Sequence, residues 1–194
     1  MVALKTINGM TEKEIISGCI KRDHKAQHVL YHTYCKKMLA ICARYVQNDM
    51  EAEDIVQEAF VKVFRNIEKF RNEGSFEGWL RRIFVNTAIE HYRRSAPMYS
   101  LLEIDNSQYD MIDENAISHL NKEALLQMIQ SLSPGYRTVF NLYAIEGYTH
   151  KEIGSLLNIS EGTSKSQLAR ARSILQKKLE LSSKTKITLY EAII

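Results

Sequence analysis

Along most of the chain apolar side chains return every three or four residues, the spacing that lines one face of an α-helix, and no stretch alternates apolar and polar as a half-buried strand would. Proline, which breaks helix interiors, occurs only at positions 97 and 134. The pattern predicts an all-α protein. Thr11 followed three residues on by Glu14 is a capping box, and it opens a first helix that buries Ile15, Ile16, Cys19 and Ile20. A second helix, from about Asp23 to Tyr45, lines up Leu30, Tyr34, Met38, Cys42 and Tyr45. A third opens at Asn48 or Asp49 and carries Val56, Phe60, Val63, Phe64 and Ile67 on one stripe. A fourth begins with Ser75 as N-cap and runs to Arg94. Together they predict one helical domain over residues 1–94.

The period fades over residues 95–121, which contain no Lys or Arg and show at most a short helix near their end. This reads as a linker. Four more helices follow: KEALLQMIQSL, then PGYRTVFNLYAIEG behind an N-cap at Ser133, then THKEIGSLL behind a capping box of Thr149 and Glu152, then SEGTSKSQLARARSIL. Between the last two, Asn158 suits a left-handed helix end, Ile159 a corner plug and Ser160 the next N-cap. Two short helices joined so tightly predict a helix-turn-helix within a four-helix domain over 122–181, leaving 182–194 as a tail without an assigned role.

Composition sharpens this only when charge is divided along the chain. The net charge is +3, but residues 1–94 carry 16 basic and 12 acidic side chains, 95–121 carry none and five, and 122–194 carry ten and six. Two basic blocks flank an acidic linker. Cys19, Cys35 and Cys42 form no C-x-x-C pair and suggest neither disulfides nor zinc. The N-terminus lacks the pattern of a secretory signal and MLAICA is too short to span a bilayer, so a cytoplasmic protein is expected. There is no Ser-His-Asp order, no H-E-x-x-H, no Gly-rich phosphate loop and no clustered metal ligands among the six histidines. The sequence therefore points away from an enzyme and implies no metal and no cofactor.

In SEGTSKSQLARAR no acid answers Lys165, Arg170 or Arg172, which points to an answering charge outside the chain. Taking Leu168, Ala171, Leu175 and Leu179 as the buried stripe leaves Thr163, Ser166, Gln167 and Arg170 on the opposite face, with Lys165 and Arg172 on a flank. Small residues let a helix enter the major groove, Gln and Arg pair with adenine and guanine edges, and flanking cations meet phosphates. The plainer alternative is a solvated helix with a basic bias. In the first domain Asp54, Gln57, Glu58 and Val61 share a helix face away from the apolar stripe, which by itself reads as solvated. Phe70, Phe76, Trp79 and Phe84 interleave with Arg71, Arg81, Arg82, Arg93 and Arg94. Most such aromatics are core, with Trp79 and Phe84 first among them, yet the mixture also suits single-stranded DNA.

The segment GYTHKEIGSLLNISEGTSKSQLARARSIL resembles the promoter-recognition domain of extracytoplasmic-function (ECF) sigma factors, and DIVQEAFVKVFRNIEKFRNEGSFEGWLRRIFVNTAIEHYRR resembles the same family's core-binding and promoter-melting region. The resemblance implies a protein without chemistry of its own that binds core RNA polymerase through Asp54, Gln57, Glu58 and Val61 on the β′ clamp helices. It implies minus-10 DNA contacts at Asn72, Ser75, Trp79, Arg82, Asn86 and Thr87, and minus-35 contacts at Thr163, Lys165, Ser166, Gln167, Arg170 and Arg172. An anti-sigma factor is a further partner that the family allows, and the acidic linker would thread the polymerase cleft. Ser164 and Gln167 depart from the family's usual Val and Arg. Ser164 lies four residues before Leu168 on the buried side, so its hydroxyl is expected to bond the Ser160 carbonyl, and Gln167 is expected to change the base that is read. A stand-alone helix-turn-helix regulator is the alternative; it would use neither the Asp54 face nor Asn86.

Overall fold

The computed structural model describes the backbone of residues 6–7, 9–103 and 122–193 and the side chains of 9–95 and 123–180. Among the described residues the helical period becomes eight α-helices: Glu12–Ile20 (α1), His24–Cys42 (α2), Asp49–Asn66 (α3), Phe76–Glu103 (α4), Lys122–Gln130 (α5), Pro134–Phe140 (α6), His150–Leu157 (α7) and Glu161–Ile193 (α8). One feature escapes the periodicity. Thr6–Ile7 (β1) and Met10–Thr11 (β2) pair antiparallel, Thr6 with Thr11 and Ile7 with Met10, too short for alternation to register. The chain divides into two compact units, Met1–Cys42 with Asp49–Ala88, and Ala43–Asn48 with Ile89–Ile194.

In the first unit the capping box at the head of α1 is complete: Thr11 Oγ1 accepts from the Glu14 amide at 3.3 Å and the Thr11 amide donates to the Glu14 carboxylate at 2.7 Å. Ile15, Ile16 and Cys19 are buried, but Ile20, the last helical residue, is 41% exposed and not core as expected. α2 lays Leu30, Tyr34, Met38 and Cys42 inward and ends at Cys42, three residues before Tyr45, which is buried all the same. The buried band of α3 is wider than the stripe, adding Ala52, Ile55 and Ala59 while Phe64 stays half-buried. Phe60 meets Phe84 of α4 edge-on at 5.0 Å and stacks on Phe64 at 6.1 Å. Burying rings such as Phe84 completely is worth about 1.5–3 kcal/mol each.

α4 starts where expected, with Ser75 Oγ accepting from the Gly78 amide at 3.0 Å. It does not stop at Arg94. The helix continues through Pro97 to Glu103, so the linker's change of composition begins inside a helix. The short helix anticipated near the linker's end lies outside the described residues.

In the second unit Met128 and Leu132 pack against Ala171 and Leu175 of α8, with Tyr136, Phe140, Ile174 and Leu179 around them. Ser133 occupies the N-cap position of α6 but makes no side-chain capping bond; only its carbonyl accepts, from the Arg137 amide at 2.9 Å. A single π turn, Asn141–Ile145, follows α6, and Gly147 at φ 79 turns the chain toward α7. Both bonds of the second capping box are present between Thr149 and Glu152. α8 runs on to Ile193, so the segment expected as a tail continues a helix. No helix among the described residues is long and apolar enough to cross a membrane.

Candidate partner and nucleic-acid interfaces

On α3, Asp54 and Gln57 are exposed and Val61 is 48% exposed. Glu58, less exposed, pairs with Lys62 one turn on at 3.0 Å. Lys62 also donates to Thr87 Oγ1 at 3.3 Å, and Thr87 in turn donates to the Ile83 carbonyl at 2.8 Å. Sequence reasoning passes over Met50, which is 76% exposed. It precedes Asp54 by one turn, so Met50, Asp54, Gln57 and Val61 succeed one another at helical spacing on one face. Single exposed apolar residues are ordinary, but two bracketing an acid and an amide form a surface with both polar and apolar handles.

Before α4 the chain makes two left-handed residues, Asn72 at φ 55 and Gly74 at φ 107. Only the second needs glycine, because a β-carbon is strained at that φ although the space is open. Asn72 and Ser75 are exposed, and the Ser75 hydroxyl is occupied as the cap of α4. Phe76 is core, while Trp79 is half-buried, stacked on Phe76 at 5.6 Å and tilted against Phe70 at 5.6 Å. Arg82 and Asn86, four residues apart, are both exposed. Thr87 differs from the rest of this set: it is fully buried, and its hydroxyl is spent on Ile83 and Lys62. Being next to Asn86 in sequence turns it about 100° around the helix and into the core.

α7 and α8 meet through a tight corner. Asn158 closes α7 at φ 56, ψ 46, the left-handed conformation that its side chain tolerates. The Ile159 amide donates to the Gly154 carbonyl at 3.0 Å, and a β-carbon on Gly154 would lie 2.9 Å from the Ile159 carbonyl oxygen. Ser160 caps α8, its Oγ accepting from the Thr163 amide at 2.9 Å and bonding the Thr163 hydroxyl at 2.8 Å.

Leu168, Ala171, Leu175 and Ser164 are buried as expected, but so is Lys178, while Leu179 is only half-buried. The buried arc of α8 is therefore rotated toward the 164–171–178 row. Two expectations fall with it. Gln167, three residues after Ser164 and four before Ala171, lies on the shoulder of this arc and not on the outer face. Its amide stands against α6, with Nε2 3.3 Å from where a β-carbon of Gly135 would be, and its Oε1 is buried without a hydrogen bond. The Ser164 hydroxyl also does not bond the Ser160 carbonyl, which accepts from the Ser164 amide at 3.0 Å; the hydroxyl pairs instead with the His150 Nδ1 of α7 at 2.9 Å. His150 stacks on Tyr143 at 4.5 Å, and the Arg172 guanidinium lies over that same ring at 5.6 Å.

Lys165, Arg170 and Arg172 thus each have a partner within the chain, against the sequence reading. Lys165 pairs with Glu161 at 2.6 Å, a hydrogen bond that holds the Glu161 carboxyl below the usual range. Arg170 donates to the Tyr136 hydroxyl at 3.0 Å, and Arg172 has Tyr143. All three stay exposed, as does Ser166, whose hydroxyl donates to the Thr163 carbonyl at 3.0 Å. Thr163 is half-buried in the cap.

Compared with known proteins, residues 30–97 match the family described as Sigma-70 region 2 and residues 122–175 that described as Sigma-70, region 4. The chain is 35% identical over 182 residues to the ECF RNA polymerase sigma factor SigW of Bacillus subtilis, covering 88% of this chain and 97% of that protein. It is 30% identical over 183 residues to the ECF RNA polymerase sigma-E factor of Haemophilus influenzae, covering 88% and 96%. Among solved structures it is similar to the sigma factor RpoE in complex with the anti-sigma factor NepR from Bartonella quintana, at 20% identity and a TM-score of 0.48 over 77% of this chain and 94% of that one.

Proposed function

The chain belongs to the ECF family of RNA polymerase sigma factors, and we propose that it directs initiation by dividing the work between its helical regions. The first docks on core polymerase and opens the minus-10 element, and the second reads the minus-35 element as duplex. Met50, Asp54, Gln57 and Val61 make the docking face on the β′ clamp helices. Glu58 contributes through its edge while holding Lys62. Asn72, Trp79, Arg82 and Asn86 receive the unpaired minus-10 strand: the half-buried indole offers a stacking surface, the guanidinium meets phosphate, and the asparagine amides read an extruded base. Ser75 shapes this loop as a helix cap, and Thr87 supports it from within.

At the upstream element Ser166 and Arg170 face the major groove, Thr163 lies at its entrance, and Lys165 and Arg172 meet flanking phosphates. Gln167 sets how α8 rests on α6. The family relation makes an anti-sigma protein a candidate third partner, and no chemistry is assigned to the chain itself. The observation that carries this reading is the pair of family matches, region 2 then region 4, in one chain; a stand-alone regulator has no use for the first. The test is to capture core polymerase with the purified protein and transcribe a promoter library with the complex. Transcripts sharing two spaced elements are expected, and duplex binding without polymerase capture would refute the reading.

A further inference from the structure

His24, His28 and His32 recur at every fourth residue of α2 and are exposed. The rings of His28 and His32 touch, with centroids 4.1 Å apart and planes tilted by 52°. Neither belongs to the apolar core, and neither is used by the docking face, the melting loop or the helix-turn-helix. Two imidazoles four residues apart on one helix face are the spacing by which H-E-x-x-H helices hold zinc with two ligands. The pair has no larger ligand set around it: among the described residues no three of His, Cys, Asp and Glu converge to hold a metal. Cys35, the next polarisable group along this face, is only half-exposed.

We propose that His28 and His32 form a two-ligand clip for a late first-row divalent cation, zinc, nickel or copper, whose remaining positions are filled by water. Imidazole nitrogen suits these cations, whereas calcium and magnesium seek oxygen ligands that the pair does not offer. Lys36, one turn beyond His32, repels any cation, so binding here has to come from the imidazole–metal bonds and not from charge attraction. A bound ion would tie two successive turns of α2 together beside Tyr31, whose ring packs on Phe60 of α3 at 4.7 Å. Loading therefore stabilises the first unit at the junction of α2 and α3.

The test is calorimetric titration of the full chain, stripped by chelator, with zinc, nickel and copper chlorides, alongside thermal unfolding with and without each metal. The wild type should bind one equivalent and unfold at a higher temperature when loaded. His28→Ala and His32→Ala, both at exposed positions, should each weaken binding by more than the roughly tenfold that losing even an outer supporting group costs, and should abolish the thermal shift. Circular dichroism of the metal-free variants must match the wild type, and His91→Ala should bind as the wild type does. Binding that survives in the double variant, that is lost equally in His91→Ala, or that needs roughly millimolar metal would overturn the proposal.

Discussion

Arg170 and Gln167 are one turn apart on α8, and their surroundings separate them. The Arg170 guanidinium is outside and held by Tyr136, a hydrogen bond that raises its pKa. Arg170→Ala should cost about 1–3 kcal/mol at the preferred upstream sequence and relax one base position, measured against single-base promoter variants. Tyr136→Phe should weaken binding less and leave base preference intact, because it frees the guanidinium without removing it. Gln167→Leu should behave otherwise. Its Oε1 is already buried without a partner, so an apolar side chain of similar reach should leave thermal stability equal or higher and base choice unchanged. A shift in base preference would return Gln167 to the groove. Sequence alone misplaces this residue because it centres the buried stripe on Leu168, Leu175 and Leu179. Lys178, polar in type and buried in fact, escapes any count made by hydrophobicity.

At the level of elements the corner between α7 and α8 depends on Gly154. A methyl there would meet the Ile159 carbonyl oxygen at 2.9 Å, a backbone atom that can move only with the turn. Gly154→Ala should therefore destabilise the protein by about 1–3 kcal/mol and weaken duplex binding, both readable by chemical unfolding and promoter affinity. The capping box of α7 gives a pH signature. The Thr149 backbone hydrogen bond holds the Glu152 carboxyl below its ordinary value of 4.5. A lowered folded-state pKa means stability that is present above the unfolded value and is lost as pH falls through the folded one. The stability gap between wild type and Glu152→Ala should be open at neutral pH and close in acid below the ordinary carboxylate range; a gap independent of pH would show that the carboxylate's charge does not matter. Such caps are legible in sequence because they are local: Thr11 with Glu14, Thr149 with Glu152 and Asn158 each act within one turn. The ends of α4 and α8 are not, because no stop residue marks them and the composition change at residue 95 imitates one.

Across the whole molecule the two helical regions must act on one promoter while bound to one polymerase, so faults in different places should fail at different steps. Reversing Asp54 and Glu58 to Lys should abolish capture of core polymerase while leaving helix content nearly unchanged. Asp54 is exposed, and exchanging the Glu58–Lys62 pair for two lysines one turn apart should cost on the order of 1 kcal/mol. Retained capture would remove the docking assignment. The acidic segment makes the complementary case. Glu103 ends α4, and Asp105, Asp110, Asp113 and Glu114 lie outside the described residues, with no Lys or Arg from 95 to 121. A run of one charge sign repels nucleic acid in free solution and favours a basic channel. In the full chain, replacing these five acids by their amides should leave polymerase capture and minus-35 duplex affinity near wild type, because neither face includes them. Transcript yield at low salt should fall, and the deficit should narrow as added salt screens the channel. Yield equal to wild type at every salt concentration would reduce the segment to a tether whose length matters and whose charge does not.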